Sequence, residues 1–229
     1  MKISVLIPVY NEAKTILEII KRVEAVGLAE EIIVVDDGST DGTTEILKQV
    51  SEKEYRIIFK ENNAGKGSAI KEGLKLVTGD IVIIQDADLE YNPKDYPVLI
   101  EPIISGRADI VYGSRWLSRG LSKMPLNMFK FGRWGLTALT NFLYGIRITD
   151  EPCGYKVFKT KIIKNINLRC NGFEFCPEIT AKAVRSGYKI HEVAISYSPR
   201  TVSEGKKITY LDGLKAIITL FKYRFWNNA

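Results

Sequence analysis

Three acidic residues stand at alternate positions in Gln85-Asp86-Ala87-Asp88-Leu89-Glu90, directly after an apolar run at 80–84. Carboxylate oxygens spaced this way on a turn are ligands for a hard divalent cation such as Mg²⁺ or Mn²⁺, which keeps coordination places for phosphate oxygens. The same aspartates would also serve to cap the turn Tyr91-Asn92-Pro93, and Asp-x-Asp alone does not separate the two readings. Two further polar clusters end apolar runs. Pro8-Val9-Tyr10-Asn11-Glu12 closes the first run, and Asp36-Asp37-Gly38-Ser39-Thr40-Asp41-Gly42 closes the second. Carboxylates there can hold ribose hydroxyls or a base N–H, and Tyr10 can pack on a base. Ser39, Thr40 and Asp41 are equally good helix N-caps. Asn63-Ala64-Gly65-Lys66-Gly67 is a glycine-rich turn into a helix; it could cradle phosphate, but it lacks the P-loop spacing.

Such clusters need elements that bring them together, and the chain's periodicity supplies them. Strand-like runs at 3–9, 31–35, 56–59, 80–84 and 109–112 alternate with helical spacing at 13–25, about 41–50, 66–76 and 98–104. Runs such as Ile32-Ile33-Val34-Val35 and Ile81-Val82-Ile83-Ile84 are apolar throughout, as in strands covered on both faces. The expected fold class is α/β, a mostly parallel Rossmann-like sheet flanked by helices. Ligands of such sheets bind beyond the carboxyl ends of the strands, where the polar clusters fall. The second half differs. Residues 124–145 are long, aromatic and basic; 150–158 is a turn into a short strand. Residues 176–186 read as a helix, 189–197 as a strand, 198–207 as a polar loop and 210–224 as an amphipathic helix. Neither repeat nor linker breaks the chain, so 1–229 is expected to form one domain.

The 229 residues carry 45% hydrophobic and 26% charged side chains, the balance of a soluble globular protein. No stretch approaches the roughly 20 apolar residues that span a bilayer, and no signal-peptide core follows Met1. One histidine, His191, excludes a multi-histidine metal site and reads as structural on its strand. Cys153, Cys170 and Cys176 have no paired spacing, which suits a reducing cytoplasm. Residues 1–112 hold 13 Lys/Arg against 20 Asp/Glu, a net −7; residues 113–229 hold 20 against 7, a net +13. An acidic half suits a metal ion. A basic half suits phosphates, an anionic membrane or nucleic acid, but no nucleic-acid motif is present.

Taken together, the four motifs resemble family 2 glycosyltransferases of the GT-A fold. They occur in that family's order, Pro8 to Glu12, Val35 to Thr43, Asn63 to Gly67 and Asp86-Ala87-Asp88. Further matches point to the dolichyl-phosphate mannosyltransferase-like, polyprenyl-phosphate branch. These are Gly113-Ser114-Arg115, Asp150-Glu151-Pro152-Cys153-Gly154-Tyr155, Phe173-Glu174-Phe175 with Glu178, Tyr197-Ser198-Pro199-Arg200 and Glu204-Gly205-Lys206-Lys207-Ile208.

The resemblance implies a metal-dependent, inverting transfer of a hexose from a nucleotide sugar (GDP-mannose or a UDP-sugar) to a polyprenyl phosphate, dolichyl or undecaprenyl. The alternative acceptor is a sugar hydroxyl of a glycan or glycolipid. Residues 1–112 would be the nucleotide-sugar and metal half, and 113–229 the acceptor and membrane-facing half. By the same resemblance Pro8, Tyr10, Glu12, Asp37, Lys66 and Asp86 would bind the donor. Asp86, Asp88 and Glu90 would hold Mg²⁺ or Mn²⁺, although Glu90 replaces a glutamine common in the branch. Arg115 and Arg200 would approach phosphates, and Lys206 and Lys207 could close on the diphosphate. Arg115, Arg133 and Thr137 would take the acceptor phosphate, with Lys130 a substitute for Arg133. Met128, Phe129, Trp134, Leu139 and Phe142 would meet acyl chains or core. Asp150 would shape the acceptor side or cap its turn. Asp86, Arg115, Arg200 and Glu178 are the expected catalytic residues; for a hydroxyl acceptor the base would be Glu178 or Asp86. The last helix, with Leu211, Leu214, Ile217, Ile218, Phe221 and Phe225 near one face beside Lys215, Lys222 and Arg224, can lie on a bilayer or pack on the sheet. The expectation is a cytoplasmic protein, peripheral at the inner face of the membrane or docked on a membrane partner, with no nucleic-acid role.

Overall fold

The computed structural model describes residues 1–50, 55–117, 128–200, 207 and 209–226, with backbone alone for 128–130. Lys206 and the side chains of Met128, Phe129 and Lys130 therefore lie outside the described residues. So does the rest of the 204–208 motif apart from Lys207. Among the described residues the chain forms β1 (Ile3–Val9), α1 (Ile16–Val26), β2 (Glu31–Asp36), α2 (Thr43–Val50), β3 (Arg56–Phe59), α3 (Lys66–Leu76) and β4 (Ile81–Ile84). There follow α4 (Tyr96–Ile104), β5 (Ile110–Ser114), α5 (Met128–Tyr144), β6 (Lys156–Lys159), α6 (Thr160–Asn165), α7 (Phe175–Arg185), β7 (Ile190–Ala194) and α8 (Tyr210–Phe225).

Every residue of β1, β2 and β4 is buried, because helices cover both faces of the sheet. Side chains alternate faces along a strand. Val5, Ile7, Ile32, Val34, Ile81 and Ile83 accordingly pack with Ile16, Ile19 and Val23 of α1 and Leu99 and Ile103 of α4. Leu6, Ile33, Val35, Val82 and Ile84 pack on the other side with Ala69 and Ile70 of α3 and Phe175 and Ile179 of α7. The strand order is β3-β2-β1-β4-β6-β5-β7. Neighbours are parallel except at β6, which runs antiparallel to both β4 and β5. The mixed but mostly parallel α/β sheet agrees with the expectation. The reversed β6 and the short α6 are additions to it.

This topology brings the motifs together. β1, β2 and β4 are parallel neighbours, so Tyr10, Asp37 and Asp86 emerge at one edge. β5 and β7 point the same way and deliver Arg115 and the 197–200 segment to that edge. His191 is exposed on β7, the edge strand.

The second half supplies a different surface. Helix α8 starts with a reciprocal cap between Thr209 and Asp212. It packs Ala216, Leu220 and Tyr223 inward against α5 and α7. Its larger apolar residues, Leu211, Leu214, Ile218 and Phe225, are more than half exposed. On α5, Trp134 and Phe142 are exposed as well, at 64% and 85%. Trp134 and Phe142 are therefore surface rather than core.

Candidate active site

The loops after β1 and β2 are tied to each other. Asn11 donates its amide to Ser39 Oγ at 2.9 Å, and its Oδ1 accepts from Thr40 N at 2.7 Å. Glu12 N donates to Thr43 Oγ1 at 2.9 Å. Asp41 accepts from Thr43 N at 3.1 Å and so does cap α2, while its other oxygen takes Ala13 N. These polar residues build the frame and leave Tyr10, Glu12 and Asp37 facing the cleft. Asp37 pins the glycine-rich turn by accepting from Ala64 N at 3.1 Å and Gly65 N at 2.6 Å, and it pairs with Lys60. Gly38, at φ +75°, is needed there, since a Cβ would lie 2.7 Å from the Asn62 backbone.

Lys66, from the start of α3, pairs with Asp86. Burial opposes its charge, but Asp86 outweighs this and holds the ammonium above its ordinary range. Asp88 lies 3.2 Å from Arg200 Nη2. Burial, then the negative charges of Asp86 and Glu90, push its carboxyl up to about 7. Crowded negative charge of this kind is what a divalent cation relieves, so the Asp86/Asp88 pair fits such an ion. Glu90 does not join them as the third ligand expected. It accepts Tyr197 OH at 2.9 Å and Arg200 N at 2.8 Å, which fixes the 197–200 segment. Among the described residues no three ligating groups converge as a ready-made metal site.

Arg200 forks onto Glu12 through both terminal nitrogens, at 2.9 and 3.0 Å. Lys207 Nζ reaches Glu12 at 2.7 Å and Asn11 O at 3.0 Å. Burial would raise the Glu12 carboxyl, but these two cations outweigh it and hold it below its usual range. Glu12 is thus held by basic residues from the far end of the chain.

On the other side, Arg115 is buried and bidentate to Asp150, at 2.7 Å to each oxygen. Arg115 borders the cleft, but this pairing makes it chiefly a positioning residue for its wall. Tyr197 lies between two guanidiniums, Arg115 at 5.1 Å and Arg133 at 5.8 Å from its ring centre. The sequence matched Tyr197 within a motif but assigned it no role; only the fold shows it joining Glu90 to both arginines.

Two expected site residues fall elsewhere. Thr137 is buried, donating to Arg133 O at 2.9 Å and accepting Glu151 N at 3.2 Å. Its hydroxyl is engaged within the fold instead of facing a phosphate. Glu178 is fully buried outside the cleft, accepting from Arg169 N, Cys170 N, Lys182 and Tyr223 OH. A carboxylate so committed cannot reach an acceptor hydroxyl, so the catalytic expectation for Glu178 is corrected to a structural one.

The remaining residues line one cavity of about 760 Å³. Pro8, Tyr10, Glu12, Asp37, Lys66, Asp86, Asp88 and Glu90 border one part. Arg115, Arg133, Arg200 and Lys207 border it too, and Leu136 and Leu139 of α5 with Leu214 and Ile217 of α8 complete the wall.

The profile described as Glycosyl transferase family 2 matches residues 4–166. The chain belongs to glycosyl transferase family 2. This family 2 chain is 33% identical over 230 residues to a Pyrococcus furiosus protein named dolichol-phosphate mannosyltransferase. That match covers 97% of this chain but only 64% of the relative's length. It is 31% identical over 228 residues to a Methanococcus voltae UDP-N-acetylglucosamine–dolichyl-phosphate N-acetylglucosaminyltransferase, covering 90% of each. Among solved structures, glucosyl-3-phosphoglycerate synthase from Mycobacterium tuberculosis, in complex with Mn²⁺, UDP and phosphoglyceric acid, superposes with a TM-score of 0.74. The identity is 24%, over 98% of this chain and 78% of that one. The family 2 chain is a glycosyltransferase with the GT-A fold.

Proposed function

We propose that this glycosyltransferase moves a hexose from a nucleotide sugar to the phosphate of a polyprenyl phosphate, with inversion, while resting on a membrane surface. The observation that carries the reading is the cavity's two-part wall. Carboxylates and cations at the strand ends suit a nucleotide sugar; the apolar flank of α5 and α8 beside Arg133 suits a phosphate on a hydrocarbon chain. Two relatives named as dolichyl-phosphate transferases support it.

In this reading Tyr10, Glu12 and Asp37 receive the nucleoside, and Lys66 lies near it. Asp86 and Asp88 hold Mg²⁺ or Mn²⁺, whose chemistry is to neutralise charge on the departing diphosphate. Arg200 and Lys207 face the same region and stabilise that charge when they exchange Glu12 for phosphate oxygens. Arg133 takes the acceptor phosphate. A phosphate oxygen is already anionic, so attack on the anomeric carbon needs no base. A sugar hydroxyl would need one within about 3 Å. Glu178 is removed from that role by its four bonds, and Asp86 is tied to Lys66. With the two carboxylates expected as bases both engaged elsewhere, the phosphate acceptor is favoured.

Among the described residues no helix is long and apolar enough to cross a membrane. The exposed apolar flank of α5 and α8, beside Lys215, Lys222 and Arg224, suits an anionic cytoplasmic leaflet. The test is a transfer assay with labelled UDP-glucose, UDP-N-acetylglucosamine and GDP-mannose, Mg²⁺ or Mn²⁺, and a short polyprenyl phosphate in detergent. Label should enter the organic phase from one donor only when a divalent ion is present. Label moving only to glycan acceptors would replace this reading with the hydroxyl-acceptor one.

A further inference from the structure

The turn at 150–154 carries a carboxyl that the transfer reading leaves unused. Asp150 is taken by Arg115, but Glu151 is different. Its side chain is fully buried, yet the residue borders the cavity. Oε1 accepts a long bond from Thr180 Oγ1 at 3.3 Å, and Oε2 has no hydrogen-bond partner among the described residues. A buried carboxyl oxygen left unpaired is costly, and in a native structure it calls for an explanation.

The neighbours of this turn show where the carboxyl stands. The Glu151 amide donates to Thr137 on α5, the acceptor side. Gly154, three residues on, abuts the donor side so closely that a Cβ there would lie 2.3 Å from Asp86 Oδ2. Cys176, which also borders the cavity, lies within electrostatic reach of Lys66, Asp86 and Glu151 together. Glu151 thus borders the cavity on a turn that runs from Thr137 of α5 to the Asp86 side. A hexose carried on a nucleoside diphosphate and facing an acceptor on α5 would rest over it.

We infer that Glu151 is a specificity-determining residue that hydrogen-bonds a hydroxyl of the hexose being transferred. The inference rests on the transfer reading above. Burial, the largest influence, raises the carboxyl, with Lys156 and Thr180 opposing. A buried site shaped to pair a sugar hydroxyl rejects an analogue without it, because its own polar atom is then left unpaired. The structural alternative is a counter-charge for the buried Lys156. Lys156 is otherwise provided for: its Nζ donates to the Glu151 carbonyl at 2.8 Å and sits 3.5 Å from the Tyr112 ring centre.

The experiment is calorimetric binding in Mn²⁺ to wild type, Glu151→Leu and Glu151→Gln. The ligands are the nucleoside diphosphate, the matching nucleotide sugar and its monodeoxy analogues. Glu151→Leu should bind the nucleotide sugar about tenfold more weakly, the scale of one buried hydrogen bond. Its affinity for the nucleoside diphosphate should be unchanged. Against one monodeoxy analogue wild type and variant should bind equally, which identifies the hydroxyl. Equal losses for nucleotide and nucleotide sugar, or an undisturbed ranking of the analogues in Glu151→Leu, would overturn the role and leave the counter-charge. Glu151→Gln, whose amide accepts and donates, should keep the wild-type ranking of the analogues; if the leucine variant does not fold, Glu151→Ala takes its place with the same expectation, and a wild-type ranking in that truncated variant sinks the inference. Wild type that binds no nucleotide sugar would defeat the transfer reading itself, a result distinct from either of these.

Discussion

Glu178 accepts hydrogen bonds from Arg169 N at 2.7 Å, Cys170 N at 2.8 Å, Lys182 Nζ at 2.7 Å and Tyr223 OH at 2.8 Å. It joins α7 to α8 and to the loop before α7. Burial alone would raise this carboxyl; the four donors outweigh it and hold it below its ordinary value of 4.5. A lowered folded-state value stabilises the fold above the unfolded value and loses that contribution as pH falls through the folded one. Glu178→Gln should therefore destabilise the protein by about 1–3 kcal/mol at pH 7. The difference should shrink below pH 4.5 while turnover per folded molecule stays the same. Urea denaturation at both pH values measures it; a turnover loss without a stability loss would return Glu178 to the catalytic list. Arg200 differs, since it reaches both Glu12 and Asp88. Arg200→Ala should cut turnover about a hundredfold, as for other groups that meet developing charge, and weaken nucleotide binding far less. A comparable loss in both would mean that it serves ground-state binding. At this scale the carboxylates that border the cavity were legible because they follow apolar runs directly. Glu178 and Thr137 were misjudged because a motif match gives a residue's place in the chain and not the partners that engage its polar atoms.

The elements were legible where hydrophobic periodicity is strong. β1, β3 and α3 have the bounds expected from the pattern, and α1 begins three residues late because its first turn closes on Glu12 O. The strand β6 was seen, but its reversal was not: Lys-Val-Phe-Lys carries no sign of direction, and only the turn at 150–154 folds it back between β4 and β5. Helix α8 shows what a pattern leaves open. Its large apolar residues mark a face, and the structure buries Ala216, Leu220 and Tyr223 instead. Substitutions on the two faces should then behave differently. Ile218→Glu combined with Phe225→Ser should lower vesicle binding at least tenfold, about the effect of removing two apolar anchors, with little change in the unfolding midpoint. Ala216→Glu should destabilise the fold by about 3 kcal/mol or more, as an unpaired buried charge does. Vesicle flotation and thermal unfolding of the three proteins decide it. Unaltered flotation of the double variant would remove the membrane role of this face.

Across the whole molecule the charge divides as the chain does, −7 in residues 1–112 and +13 in 113–229. The fold sets these halves against each other at the cavity, where Arg200 and Lys207 from the basic half hold Glu12 and Asp88 from the acidic half. In the proposed reading a nucleoside diphosphate entering alone would meet Asp37, Asp86 and Asp88 while Arg200 and Lys207 are still held by Glu12 and Asp88. In the same reading Asp86 and Asp88 would hold a divalent ion, whose charge would offset theirs and compete with Arg200 for Asp88. Metal and nucleotide should consequently bind as a coupled pair, and each should strengthen the other by the same factor. A ligand pair at about a hundred times its dissociation constant stabilises the folded state by about 2.7 kcal/mol. For a chain of this size that raises the unfolding midpoint by about 5–10 °C. Thermal unfolding with Mn²⁺ alone, nucleoside diphosphate alone and both together should show a shift for the pair that exceeds the sum of the single shifts. Asp88→Ala should fold and show no excess, because the coupling passes through its carboxylate. Equal shifts with and without the metal in wild type would mean that the basic residues receive the diphosphate by themselves and that the acidic pair has a structural role.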